Sequence, residues 1–244
     1  MRRNSMQCAT AQAISTVVVD LDGPLLDGRE RHYRCYSDIL EEHGITPLAQ
    51  RVYWQRKRER TDRREMLAMS GADGLYDTFL ASWMERIEQR RYLALDRLQE
   101  GVVDILARWR SRGVFLVLAT MRNNPRNLQW QLRQVGLHDL FDRIIVVGSG
   151  AAGRNKGAEV REKVPELDPK NALWIGDTEV DVRAAHELGM PICVLGCGLR
   201  TPEYLMTLNP DYLDDDLSSF DRKGGRLIAI SASSTGTSLH NEAD

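Results

Sequence analysis

Apolar residues along this chain follow two rhythms. Short runs that are apolar throughout and rich in β-branched residues occur at Thr16–Val19, 114–118, 144–147, 172–175 and 191–195. Runs of this kind have the pattern of strands buried on both faces. Between them, apolar positions recur at helical spacing. Leu98, Val102, Ile105, Leu106 and Trp109 form one such stripe, and Leu128 and Leu132 form another behind the start signal Asn124-Pro125. Residues 157–164 and 180–188 read as helices, the second stopped by Gly189, with a short helix at 204–208 and an edge strand at 211–213. Strands that alternate with helices over short loops predict an α/β fold built on a doubly wound parallel sheet.

The alternation breaks directly after the first strand. Residues 28–94 carry only helical patterns: Tyr33, Tyr36, Ile39 and Leu40 up to Gly44, then a charge-dense stretch at 51–65, then the stripe Tyr76, Phe79, Leu80, Trp83, Met84 and Ile87. The block predicts an all-helical cap inserted into a catalytic core made of 14–27 and 95–220. The aromatic stripe reads as its core. The charged stretch reads as a solvated helix face with i,i+4 ion pairs. A sharper alternative has one or two of its arginines reaching an anionic substrate. Residues 1–13 read as a poorly ordered extension and 221–244, rich in Gly, Ser and Thr, as a disordered tail.

Charge and cysteine usage narrow the function classes. A net charge of −2 over 244 residues offers no electrostatic footing for nucleic acid or a membrane surface. Cys193 and Cys197 have a zinc-compatible spacing without a second ligand pair, and no disulfide framework is visible among the four cysteines. No stretch is apolar enough for a membrane span or a signal core. A cytoplasmic protein is the expectation.

The first strand delivers Asp20 and Asp22 to its C-terminal end. Side chains at i and i+2 share a face, so the two carboxylates can converge, and a cation, a shared proton or solvent must then relieve their repulsion. Other polar residues fall at strand ends of the same sheet: Thr120, Lys156 opening a helix, and Asp177 with Asp181 one helical turn on. Each has an ordinary explanation alone, as a loop hydroxyl, a solvated lysine, an N-cap and a first-turn acid. In a parallel sheet these ends share one edge, where ligands of open α/β folds bind. Together the residues suit one chemistry. Carboxylates with open water positions suit Mg²⁺; Thr and Lys suit phosphoryl oxygens; one carboxylate can attack phosphorus while a neighbour moves the proton. Lys163 and Lys170 rival Lys156 but stand further along the helix and before the next strand.

Asp20-Leu21-Asp22-Gly23, Leu118-Ala119-Thr120, Lys156 and Gly176-Asp177-x-x-x-Asp181 resemble the four ordered motifs of the haloacid dehalogenase superfamily, in particular its phosphoglycolate phosphatase-like branch with a helical cap. The resemblance spans residues 14–220. It implies Asp20 as nucleophile and Mg²⁺ ligand, and Asp22 as acid/base and ligand through its backbone carbonyl. It implies Leu21, Thr120, Met121 and Lys156 around the phosphoryl group, and Asp177 and Asp181 at the metal. Because dehalogenase members lack an acid at the Asp22 position, the implied activity is a phosphatase acting on a small soluble phosphorylated metabolite. Arg29, His32 or an arginine of 51–64 is expected at the leaving group. Alternatives are a sugar phosphomutase, a receiver-like module phosphorylated on Asp, and an idle phosphate-binding relative. Pro24 departs from the family's Thr or Val and predicts an extended Gly23 before it.

Overall fold

The structure, a computed structural model, describes residues 14–148 and 155–224. The expected N-terminal extension and the tail beyond residue 224 lie outside the described residues. Strand β1 (Thr16–Val19) leads into a short β2 (Leu26–Asp27). Five helices follow: α1 (Arg29–Glu42), α2 (Gln50–Arg58), α3 (Arg63–Ala68), α4 (Tyr76–Arg86) and α5 (Arg90–Leu93). After β3 (Arg97–Leu98) come α6 (Val102–Ser111), β4 (Phe115–Thr120), α7 (Pro125–Gln134) and β5 (Arg143–Val146). The chain continues through α8 (Lys156–Lys163), β6 (Ala172–Gly176), α9 (Glu179–Leu188) and β7 (Ile192–Leu195), and ends with α10 (Pro202–Met206), β8 (Tyr212–Asp214) and α11 (Leu217–Gly224).

Six strands form one sheet in the order β5-β4-β1-β6-β7-β8, with every pairing parallel. Counted along the sheet-forming strands alone, this is the doubly wound order whose crevice opens where the winding reverses, between β1 and β6. Alternation in β1 explains why the run is apolar throughout. Val17 and Val19 pack with Leu116, Leu118, Ile105 and Trp109, whereas Val18 enters the opposite layer with Val117, Trp174, Val160 and Val182. Full burial of each such side chain contributes about 1.5–3 kcal/mol, so β1 anchors the sheet from both sides.

The helical block has its own core. Tyr36 stacks on Tyr53 at 4.4 Å between ring centroids, and Phe79 on Trp83 at 5.7 Å. The expected aromatic stripe is narrower than predicted, since Met84 faces solvent.

Several expectations need correction. Leu98 belongs to β3, which pairs antiparallel with β2, and α6 starts only after Gly101, whose left-handed φ of 72° turns the chain. This ribbon between the helical block and the sheet has strands too short for periodicity to reveal. The charged stretch breaks into α2 and α3 because Arg60 takes φ 63° and the Asp62 side chain caps the next helix by accepting from the Arg64 amide. It is only partly a solvated face: Arg58 donates to the carbonyls of Gly196 and Arg200 on the sheet side, and Arg60 to the Tyr204 hydroxyl. Residues 221–224 are not tail but the end of α11, where Asp221 accepts from Trp109 Nε1 and Arg108. Gly23 is not extended but has φ 98°, a conformation glycine adopts without steric cost even before proline.

Candidate active site

The strand ends place the polar residues that the alternation predicts. Asp20 follows Val19, so its side chain turns to the sheet face of Val18, against which α8 and α9 pack. Lys156 is the first residue of α8 because Asn155 caps that helix, accepting from the Ala158 amide. The Lys156 Nζ lies 2.9 Å from Asp20 Oδ1 and 2.7 Å from Asp181 Oδ1. Of the rival lysines, Lys163 pairs with Glu159 on the surface, and Lys170 sits in the short turn before β6.

Asp181 stands at the third position of α9, in a capping box with Thr178. Its Oδ2 accepts from the Thr178 hydroxyl at 2.7 Å and from the amides of Thr178 and Asp177, while Trp174 Nε1 reaches Oδ1 at 3.3 Å. Asp181 therefore holds both the lysine and the turn that presents Asp177. Asp177 is fully buried. Its Oδ2 accepts from the Leu199 amide at 2.5 Å, while Oδ1 is buried with no partner.

Asp20, Asp177 and Asp181 offer carboxylate oxygens that lie within 4.8 Å of one another. One ammonium does not neutralise three carboxylates, and the unpartnered Asp177 Oδ1 is a buried acceptor with no donor. The donor set is hard and anionic, which suits a divalent cation bound through oxygen. Burial, reinforced by neighbouring acids, pushes Asp20 up to about 7 and raises Asp177 well above the carboxylate range. Burial alone would pull Lys156 down, but Asp181 and Asp20 outweigh it and hold the ammonium above its ordinary value.

Gly23 and Gly198 make room for this arrangement. A Cβ added at either would overlap the Asp177 carboxylate. Gly198→Ala is expected to displace Asp177, weakening divalent-cation binding by about tenfold or more while leaving the sheet folded. Calorimetric titration with Mg²⁺ and circular dichroism test both halves of that expectation.

Asp22 lies in a different network. Regular strand geometry ends at Val19, so the two-residue period no longer aligns Asp22 with Asp20. Arg31 donates to Asp22 Oδ1 at 2.5 Å, and Arg122 donates to both oxygens at 2.7 and 2.8 Å. Burial would raise this carboxyl, but Arg122 and Arg31 outweigh it and hold it well below the usual range. Both arginines also hold Asp96, which accepts from Gln131 as well.

The remaining expected residues sit at the same edge. Thr120 ends β4 and is buried, with its carbonyl accepting from Val147. The Leu21 side chain is buried in the sheet core, and its amide donates to Asp20 Oδ1 at 2.8 Å. Met121 packs its side chain against the opposite core layer. A cavity of about 20 Å³, room for one water, lies between Asp22, Gly198 and Leu199 on the sheet side and His32 and Trp54 on the helical block. Burial and nearby cations keep His32 below its ordinary value, and its Nδ1 has no partner. Arg29 instead stays exposed beside Asp27.

Sequence reasoning missed Arg31, Arg122 and Asp96. Arg122 stands two residues past the β4 end and carried a positional signal. Arg31 and Asp96 carried none, because they meet across 65 residues of chain.

Comparison with known proteins matches this architecture. A family model described as haloacid dehalogenase-like hydrolase matches residues 14–189. The phosphoglycolate phosphatase of Synechococcus elongatus is 24% identical over 204 residues, covering 82% of this chain and 92% of that protein. The pyrophosphatase PpaX of Halalkalibacterium halodurans is 23% identical, again covering 82% and 92%. Among solved structures, a predicted phosphatase from Clostridium acetobutylicum superposes with a TM-score of 0.69 at 18% identity, covering 86% of this chain and 98% of that one. The chain belongs to the haloacid dehalogenase-like hydrolase family. The enzyme class that its fold and site define is the phosphatase of that family. Among the described residues, no helix is long and apolar enough to cross a membrane.

Proposed function

We propose that this chain is a Mg²⁺-dependent phosphatase that hydrolyses the phosphomonoester of a small soluble metabolite through a phosphoaspartyl intermediate. The observation that carries the reading is the Lys156 ammonium seated between Asp20 and Asp181, beside a buried Asp177 with an unsatisfied oxygen. Asp20 and Asp177 would hold the metal, with Asp181 supporting. Bound Mg²⁺ would supply positive charge against the phosphoryl oxygens, letting a dianion approach an anionic nucleophile.

The residues divide the work. An oxygen of Asp20 attacks phosphorus, a bond forms between them, and the ester P–O bond breaks. Asp22, taking up a proton when it swings clear of Arg31 and Arg122, gives that proton to the departing alkoxide, then takes one from the water that cleaves the phosphoaspartate. Lys156 and Thr120, with the amides of Leu21 and Met121, hold the phosphoryl oxygens. The helical block acts as a cap over a core of residues 14–27 and 95–220, excluding water from the reacting group. Its contacts onto the sheet side support that role: Glu88 accepts from the amides of Asn123 and Asn124, and Gln131 donates to the Leu93 carbonyl.

A panel of phosphorylated metabolites, assayed for released phosphate with Mg²⁺ and after chelation by EDTA, tests the reading. Release is expected with Mg²⁺ and is expected to fall to background with EDTA. Turnover that survives complete metal removal would reject it.

A further inference from the structure

One arginine of the helical block is held by carbonyls alone. Arg58 ends α2, and among the described residues no acid pairs with its guanidinium. Its Nη2 donates instead to the carbonyls of Gly196 at 2.5 Å and Arg200 at 2.9 Å. These are the two ends of the loop from β7 to α10, and the same loop supplies the Leu199 amide to Asp177 Oδ2. We propose that Arg58 is a positioning residue for the metal carboxylate. It fixes the 196–200 loop and thereby the aim of Asp177, so that seating of the helical block and divalent-cation affinity depend on each other. This role rests on the assignment of Mg²⁺ to Asp20 and Asp177 in the phosphatase reading above.

The loop needs an outside brace. Gly196 and Gly198 give its backbone more freedom than larger residues would. Gly198 has to stay bare, since a Cβ there would overlap the Asp177 carboxylate. Arg58 ties the two loop ends together from outside and supplies the stiffness that the glycines withhold. Arg200 extends the brace. Its Nε and Nη2 pair with Glu179 at 2.8 and 3.0 Å, and Glu179 opens α9 two residues after Asp177. Arg60, two residues past Arg58, lies 3.6 Å from the same Glu179 carboxylate. The end of α2 therefore reaches Asp177 from two directions, through the Leu199 amide and through the start of α9.

The Leu199 bond matters because a carboxylate is planar. Fixing Oδ2 leaves little choice in where Oδ1, buried and without a donor, can point. Metal ligands oriented by such an outer partner bind their ion more tightly than free ones. The coupling is reciprocal: whatever the cation gains from a seated helical block, the seating gains from the cation. Charge alone predicts the opposite sign. A guanidinium near the site repels a cation, so its removal would leave Mg²⁺ affinity equal or raise it. The direction of the change thus separates positioning from electrostatics.

The test is calorimetric Mg²⁺ titration of the full chain and of Arg58→Met, with hydrogen exchange read at the amides of Glu59 and Thr61. Those amides donate to the Gln55 and Arg56 carbonyls, so they report on the helix end that carries Arg58. Arg58→Met is expected to weaken Mg²⁺ binding about tenfold. Mg²⁺ is expected to slow exchange at both amides in the parent and to leave it unchanged in the variant. Arg58→Lys keeps the charge and can reach one carbonyl, so its loss should be smaller, and it gives the same readout if the methionine variant does not fold. Arg56→Met removes an exposed charge from the same helix and should bind Mg²⁺ like the parent. Equal or tighter Mg²⁺ binding in both Arg58 variants would overturn the positioning role, leaving the phosphatase reading intact if the parent releases phosphate only with Mg²⁺. So would an equal loss in Arg56→Met, or exchange in the parent that does not respond to Mg²⁺. A parent that binds no Mg²⁺ would remove the metal assignment and this proposal with it.

Discussion

Asp20→Asn is expected to lower phosphate release by about 10³-fold or more, because an amide oxygen does not form the covalent phosphoryl bond. The fold should survive. The variant keeps Asp181 as a partner for Lys156, at 2.7 Å, and removes one of three mutually repelling acids. Mg²⁺ binding should also largely persist, since Asp177 and the Asn carbonyl still offer oxygens. Phosphate release measured beside a calorimetric Mg²⁺ titration separates the two effects. Full activity in this variant would dispose of Asp20 as the nucleophile.

Lys156→Met carries the second large effect, and it falls on stability as well as turnover. The ammonium neutralises Asp20 and Asp181 at the sheet edge while almost fully buried itself. Removing one partner of a buried ion pair typically costs about 3–5 kcal/mol, because the other charges stay behind uncompensated. Phosphate release should fall to background, as no cation remains to draw the phosphoryl group onto Asp20. A divalent cation relieves the same repulsion, so Mg²⁺ should raise the variant's unfolding midpoint by more than the parent's. Urea unfolding with and without Mg²⁺ reads this difference. An unchanged midpoint in the metal-free variant would mean that the lysine does not hold the acids together.

The strand ends show how far local pattern reaches. Asp20, Thr120 and Asp177 follow apolar runs whose alternation and parallel pairing put them on one edge, and Lys156 and Asp181 sit on the first turns of the helices that follow. Asp22 shows where it stops. Three residues past Val19, the last paired residue, strand periodicity no longer governs its direction, and the surrounding cations decide. The ribbon of β2 and β3 was likewise invisible, because two-residue strands leave no period to read.

By itself the sequence determined the alternating core, the helical insertion after the first strand, and the residues at each strand end. These properties depend on neighbours within a few positions, where backbone geometry dictates which way a side chain points. Only the tertiary structure decided which partners those residues have. Arg31, Asp96 and Arg122 converge on Asp22 from separate elements, and Gly198 meets Asp177 from a distant loop. Such meetings are set by how layers pack and how charges find compensation away from water, and no spacing along the chain encodes them.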